Sequence, residues 1–193
     1  MNRILITSFE PFGLSGRFLR RANAAHDIAA VLQERLPATD FSFLRLPVSD
    51  RAHGLLQEHL EQEKPAAILG LGENLSMLPG QVNLEPYAYD RDASLNPFAG
   101  SGGTRISSDF VRQVSPHGHS TIGAFFCNAI YRQSLLWAQD QHATRHDEKS
   151  PRIPVAFMHV AVLGKRDRQL AAVSAVLEDM QRRTTTPQPA FKP

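Results

Sequence analysis

Arg3-Ile4-Leu5-Ile6-Thr7-Ser8-Phe9 (RILITSF) contains a continuous apolar triplet and is stopped by Pro11 and Gly13. A strand with one wet face alternates apolar and polar residues, whereas an unbroken apolar run fits a strand covered on both faces, as in parallel sheets. The opening strand therefore predicts a parallel sheet between helices. The chain beyond it follows the same logic. Asn23 is placed to cap a helix in which Ile28, Val31, Leu32 and Leu36 share one face, ending before Pro37. Phe41 to Val48 returns to strand composition. Ser49 or Asp50 can then cap a helix carrying Ala52, Leu55, Leu56 and Leu60. Ala66 to Leu71 (AAILGL), after Pro65, reads as a third strand. This β-α-β-α-β alternation belongs to the α/β layered class.

From Gly72 to Gly103 the pattern dissolves into Pro, Gly, Asn and Asp, the composition of a long functional loop or of very short elements. Thr121 to Phe126 reads as a strand leading into a helix from Asn128 to His142, with Cys127 at the junction. Gln139 to Pro154 is polar and charged and reads as an exposed connection. Val155 to Leu163 is the last clear strand. Leu170, Val173, Val176, Leu177 and Met180 mark a final amphipathic helix starting near Asp167. At 193 residues, against about 150 per domain, the expectation is one domain over residues 1–183, with 184–193 a disordered tail.

Composition removes several function classes. Twenty-one Lys and Arg against 19 Asp and Glu leave a charge of +2, too small for the basic footprint of a nucleic-acid binder. No run approaches the length of a membrane span, and the N-terminal apolar run is too short for a secretory signal, so a cytoplasmic protein with no membrane partner is expected. Gly70-Leu71-Gly72 follows a strand, but Leu75 stands where a dinucleotide fingerprint needs its third glycine. Gly100-Ser101-Gly102-Gly103 lacks the Lys-Ser or Lys-Thr of a phosphate loop. The pairs His117/His119 and His142/His146 have no third ligand and read as solvated surface, so neither metal nor cofactor is expected.

The single cysteine excludes an internal disulfide and directs attention to its own chemistry. A free cysteine is ordinarily a small buried hydrophobe. Cys127, however, lies where an apolar run meets a helix start, and the N–H groups and dipole there favour a thiolate. A cysteine nucleophile also needs an imidazole and a group to orient it. His159, isolated within the apolar strand Ala156-Phe157-Met158-His159-Val160-Ala161-Val162, and Glu85, flanked by apolar residues in Val82-Asn83-Leu84-Glu85-Pro86-Tyr87-Ala88, are the candidates. Taken singly, His159 reads more often as a satisfied core histidine than as a base, and Glu85 as any loop carboxylate.

Leu5-Ile6-Thr7-Ser8-Phe9-Glu10-Pro11-Phe12-Gly13 resembles the opening signature of the pyroglutamyl (pyrrolidone-carboxylate) peptidases, cysteine peptidases that remove an N-terminal 5-oxoproline. Leu84-Glu85-Pro86-Tyr87-Ala88, Phe126-Cys127-Asn128 with Tyr131, and Phe157-Met158-His159-Val160 resemble that family's glutamate, nucleophile and histidine segments, in order. The resemblance implies a doubly wound α/β/α sandwich with a mostly parallel central sheet. It implies Cys127 as nucleophile, His159 as general acid and base, and Glu85 as the residue orienting the imidazole. Phe9, Phe12, Glu73 and Phe126 fall at its substrate-binding positions, Glu73 standing where the family carries an amide and Phe9 and Phe12 matching the lactam-pocket lining. The expected partner is a peptide or small amide substrate, with homo-oligomers possible. The alternative is a catalytically silent relative that binds a peptide or a protein.

Overall fold

The computed structural model describes residues 3–11, 22–90, 104–116, 118–123, 125–144 and 152–185. In chain order the elements are β1 (Ile4–Phe9), α1 (Ala24–Arg35), β2 (Phe41–Leu46), α2 (Arg51–Glu63), β3 (Ala67–Asn74), β4 (Val82–Leu84), β5 (Tyr87–Tyr89), β6 (Arg105–Ser107), α3 (Asp109–Val114), α4 (Phe126–Thr144), β7 (Val155–Ala161) and α5 (Arg166–Thr185). Every residue of β1 is buried, as its apolar run requires. β1 pairs in parallel with β2 and β3, and β3 pairs in parallel with β7. β4 closes that edge antiparallel to β7, giving the order β2-β1-β3-β7-β4. The chain is thus an α/β fold with a mostly parallel central sheet and helices on both faces.

Side-chain alternation along the strands divides the core in two. Ile4, Ile6, Leu69, Leu71, Ala156, Met158 and Val160 pack under α1, α3 and α5. Leu5, Phe9, Ile68, Val155 and Phe157 pack under α2 and α4. Each such fully buried Leu, Ile or Phe contributes about 1.5–3 kcal/mol relative to exposure. Gly70 and Gly72 belong to the second face and leave room on it. A Cβ built on Gly70 would lie 2.3 Å from Phe157 Cδ2 and 2.7 Å from its Cε2, inside any real carbon contact. Because that ring is itself buried and held against Tyr131 at 5.6 Å, it has little room to yield. The Gly70→Ala substitution is therefore expected to destabilise the protein by about 1–3 kcal/mol, the range for overpacking, read as a lower denaturant midpoint. An unchanged midpoint would contradict this packing.

Helix starts follow the residues. Asn23 Oδ1 accepts from Ala25 N at 2.9 Å and His26 N at 3.3 Å, capping α1 as its side chain suggests. Asp50 precedes α2 but makes no side-chain cap bond. Four expectations change. The Thr121–Phe126 strand does not form, because the Thr121 and Ile122 N–H groups bind a carboxylate instead of a neighbouring strand. α4 begins at Phe126, so Cys127 lies within its first turn, and the helix continues through Thr144, taking in the first part of the expected exposed connection. The interval after Gly72 holds β4 and the β5–β6 hairpin, elements of three residues each, too short to show periodicity. α5 includes Thr184 and Thr185. Phe12, His117, His146, the Gly100–Gly103 run and residues 186–193 lie outside the described residues. Among the described residues no helix is long and apolar enough to cross a membrane.

Candidate active site

β3, β7 and β4 bring the polar residues together at one end of the sheet. Gly72 on β3 is the register partner of His159 on β7, and His159 is in turn the partner of Asn83 on β4. Two residues beyond Asn83, the Glu85 N–H donates to Phe157 O at 2.9 Å, which keeps Glu85 alongside β7. Its carboxylate, fully buried, meets His159 Nδ1 at 2.8 Å.

The thiol approaches from α4. A Cβ built on Gly72 would lie 3.0 Å from Cys127 Sγ and 3.0 Å from His159 Cδ2, so those two atoms are separated by at most twice that distance. The Cys127 side chain is near enough to act on the His159 imidazole and raise its pKa. Cys127 is half-buried, and His159 is buried with its ring 5.2 Å from that of Phe157. Gly72 thus acts by its lack of a side chain, the meaning of a glycine in a strand where another group comes close. Asn128, the next residue of α4, fixes this turn: its Oδ1 accepts from Tyr89 N at 2.7 Å and its Nδ2 donates to Tyr89 O at 3.0 Å. The Tyr131 hydroxyl, one turn further on, donates to Glu85 O at 2.9 Å.

Electrostatics follow from this packing. Burial pushes His159 toward the neutral ring, but hydrogen bonds to Cys127 and Glu85, with their charge, outweigh burial and raise the imidazole to about 10. Burial likewise opposes the Glu85 charge, and the His159 bond, the His159 charge and the Thr121 and Ser120 hydroxyls outweigh it, leaving the carboxyl below its ordinary value. Oε1 accepts from Asn83 Nδ2 at 2.8 Å and Thr121 Oγ1 at 2.5 Å. Oε2 accepts from Ser120 Oγ at 2.8 Å, Thr121 N at 2.9 Å and Ile122 N at 3.1 Å. A thiol, an imidazole and a buried anion in series form the arrangement that nucleophilic catalysis by cysteine requires.

Solved structures carry the same architecture. The chain superposes on pyrrolidone carboxyl peptidase from Thermococcus litoralis with a TM-score of 0.70 at 17% identity, covering 100% of this chain and 99% of that one. The enzyme of the hyperthermophile Pyrococcus furiosus gives 0.66 at 18% identity, over 94% and 99% of the two chains. That of Thermus thermophilus gives 0.65 at 21%, over 91% and 98%. The fold is that of the pyrrolidone carboxyl peptidases. No family model and no curated protein sequence matches the chain.

Within this pyrrolidone carboxyl peptidase fold, the remaining expected residues separate. Phe9 and Phe126 are buried in the apolar cluster against which Cys127 packs. Glu73 does not join them. As the neighbour of Gly72 on an alternating strand it turns to the opposite face, where its Oε2 accepts from Ala24 N at 2.7 Å at the start of α1. A carboxylate is favoured there by the free N–H groups and the positive end of the helix dipole. The Glu73 carboxylate thus supports the start of α1. Asn83, Ser120 and Thr121 are site residues that the sequence reading did not single out. Asn128 entered it only within Phe126-Cys127-Asn128, and Gly72 only within Gly70-Leu71-Gly72, two glycines in an apolar strand.

Proposed function

We propose that this protein is a cysteine peptidase that removes an N-terminal pyroglutamyl residue through a thioester acyl-enzyme. The convergence of Cys127, His159 and Glu85 at the end of β3 and β7 carries this reading, and the shared fold agrees with it. Because Nδ1 of His159 is tied to Glu85, the other ring nitrogen, bonded to Cδ2, serves the thiol.

The Cys127 thiolate attacks the carbonyl carbon joining the lactam to the next residue. The electron pair displaced onto oxygen is held by the backbone N–H of Cys127 at the start of α4, since the Asn128 and Ala129 N–H groups already donate to Phe125 O at 3.0 and 3.4 Å. His159, as imidazolium, protonates the leaving amine, the C–N bond breaks, and the thioester remains. Water then gives a proton to the neutral imidazole and attacks the thioester, and the collapsing intermediate returns the thiol and free pyroglutamate. Phe9 and Phe126, buried in the cluster against which Cys127 packs, supply the apolar walls of the lactam site. Such walls accept the uncharged lactam and disfavour free glutamate, whose charge would lose hydration.

Release of a fluorescent amine from a pyroglutamyl amide tests the proposal. Turnover is expected for that amide and at least about tenfold less for the corresponding glutamyl amide. No release at any substrate concentration would sink the activity. Equal rates on the two amides would sink the lactam specificity and leave only the hydrolytic reading.

A further inference from the structure

Orienting an imidazole takes a single bond from a carboxylate, yet Glu85 receives five more. Three of those donors, the Thr121 and Ile122 N–H groups and the Asn83 amide nitrogen, can only donate, so they hold the carboxylate as an anion. Among these donors Thr121 alone reaches both oxygens, its hydroxyl at Oε1 and its N–H at Oε2. It is tied elsewhere as well: Asn83 Nδ2 lies 3.3 Å from its hydroxyl, and Asn74 Nδ2 donates to its carbonyl at 3.5 Å. The strand-end residues of β3 and β4 therefore grip the same segment that, past Ile122, enters α4 and delivers Cys127.

We infer that Thr121 is a positioning residue, holding Glu85 ionised and in one orientation so that His159 stays aimed at the Cys127 sulfur. The inference rests on the reading of Cys127 and His159 as a nucleophile and base. The titratable groups facing Glu85 are His159 from β7 and Tyr131 from α4, with Cys127 beyond the imidazole. Tyr87 from β5 lies near the Ser120 hydroxyl, and His119 supplies its backbone carbonyl to Asn83.

The test is the pH dependence of Cys127 alkylation by iodoacetamide, which needs no substrate. Thr121→Val keeps the N–H and the shape but removes the hydroxyl, and Thr121→Ser restores it. The acidic limb of the alkylation rate is expected to move up by about one pH unit in Thr121→Val, with about tenfold slower reaction on that limb, the size of one charge-assisted hydrogen bond. Thr121→Ser should stay within about twofold of the wild type. A Thr121→Val limb unchanged from the wild type, or an equal displacement in both variants, overturns the inference. If Thr121→Val does not fold, Ser120→Ala carries the test, since it removes a donor from Oε2: a smaller displacement in the same direction supports the cradle and none overturns it. An alkylation rate in the wild type that is indifferent to pH and to His159→Ala would remove the nucleophile–base pair itself. A limb that is present but indifferent to Thr121 and Ser120 removes only the positioning role.

Discussion

Cys127→Ser is expected to lower turnover of a pyroglutamyl amide by about 10⁴-fold or more, the scale on which triad members act, with little change in fold. The chemical reason is specific to sulfur. The raised His159 means that a proton sits on the ring at neutral pH, and a cation beside a thiol supplies the charge complement of a thiolate. A serine hydroxyl does not ionise under the same influence, so the substituted protein would face substrate with a neutral, weakly nucleophilic oxygen. The structural effect is small because the side chain is only half-buried and the replacement is nearly isosteric. Initial rates and denaturant midpoints measured together separate the two effects. Activity within tenfold of the wild type, in a folded protein, would remove Cys127 from the mechanism.

The legible parts of the molecule were those where one physical term dominates. β1 and β7 are buried throughout and β3 over its first six residues, so each carries a continuous apolar stretch that marks it despite the polar residues it also holds. α1 showed both its apolar stripe and its cap, Asn23. Thr121–Phe126 misled for the opposite reason. Ile122 and Phe126 are indeed buried, as a strand reading requires, but burial says nothing about where the backbone N–H groups go, and here those of Thr121 and Ile122 go to Glu85. β4 to β6 were hidden by brevity, since three residues give no measurable period.

The site divides in the same way. Cys127, His159 and Glu85 were visible because each is a reactive or titratable side chain set among apolar neighbours, and the resemblance placed them in one scheme. Ser120 and Thr121 were not visible, because a serine outside any motif and a threonine opening an expected strand give no sign of a carboxylate within their reach. The contact of Glu73 with α1 was not legible in its motif position. One residue from Gly72 along an alternating strand is the other side of the sheet, and the carboxylate serves a helix terminus there.

Glu85→Gln should combine a large activity loss with a change in the shape of the stability–pH curve. Whichever way the introduced amide is turned, one of the two oxygen positions becomes a nitrogen donor facing groups that donate to it, so part of the cradle is left without an acceptor. Breaking a buried ionic pair from one side typically costs about 3–5 kcal/mol. The pH dependence follows from the two directions of shift. Glu85 is lowered in the folded state, so its contribution is present above the ordinary glutamate value of 4.5 and is lost as pH falls through the folded value. His159 is raised, so its contribution is complete below 6.5 and is lost as pH rises through about 10. The stability difference between wild type and Glu85→Gln is therefore expected to be largest between pH 4.5 and 6.5, shrinking on both sides. On the alkaline side part of the His159 contribution persists in the variant, because Cys127 also holds the proton on the ring. Urea midpoints of the two proteins across that range check the curve. A difference independent of pH would mean that Glu85 stabilises the fold by packing and neutral hydrogen bonds alone, and that its charge is not coupled to the imidazole.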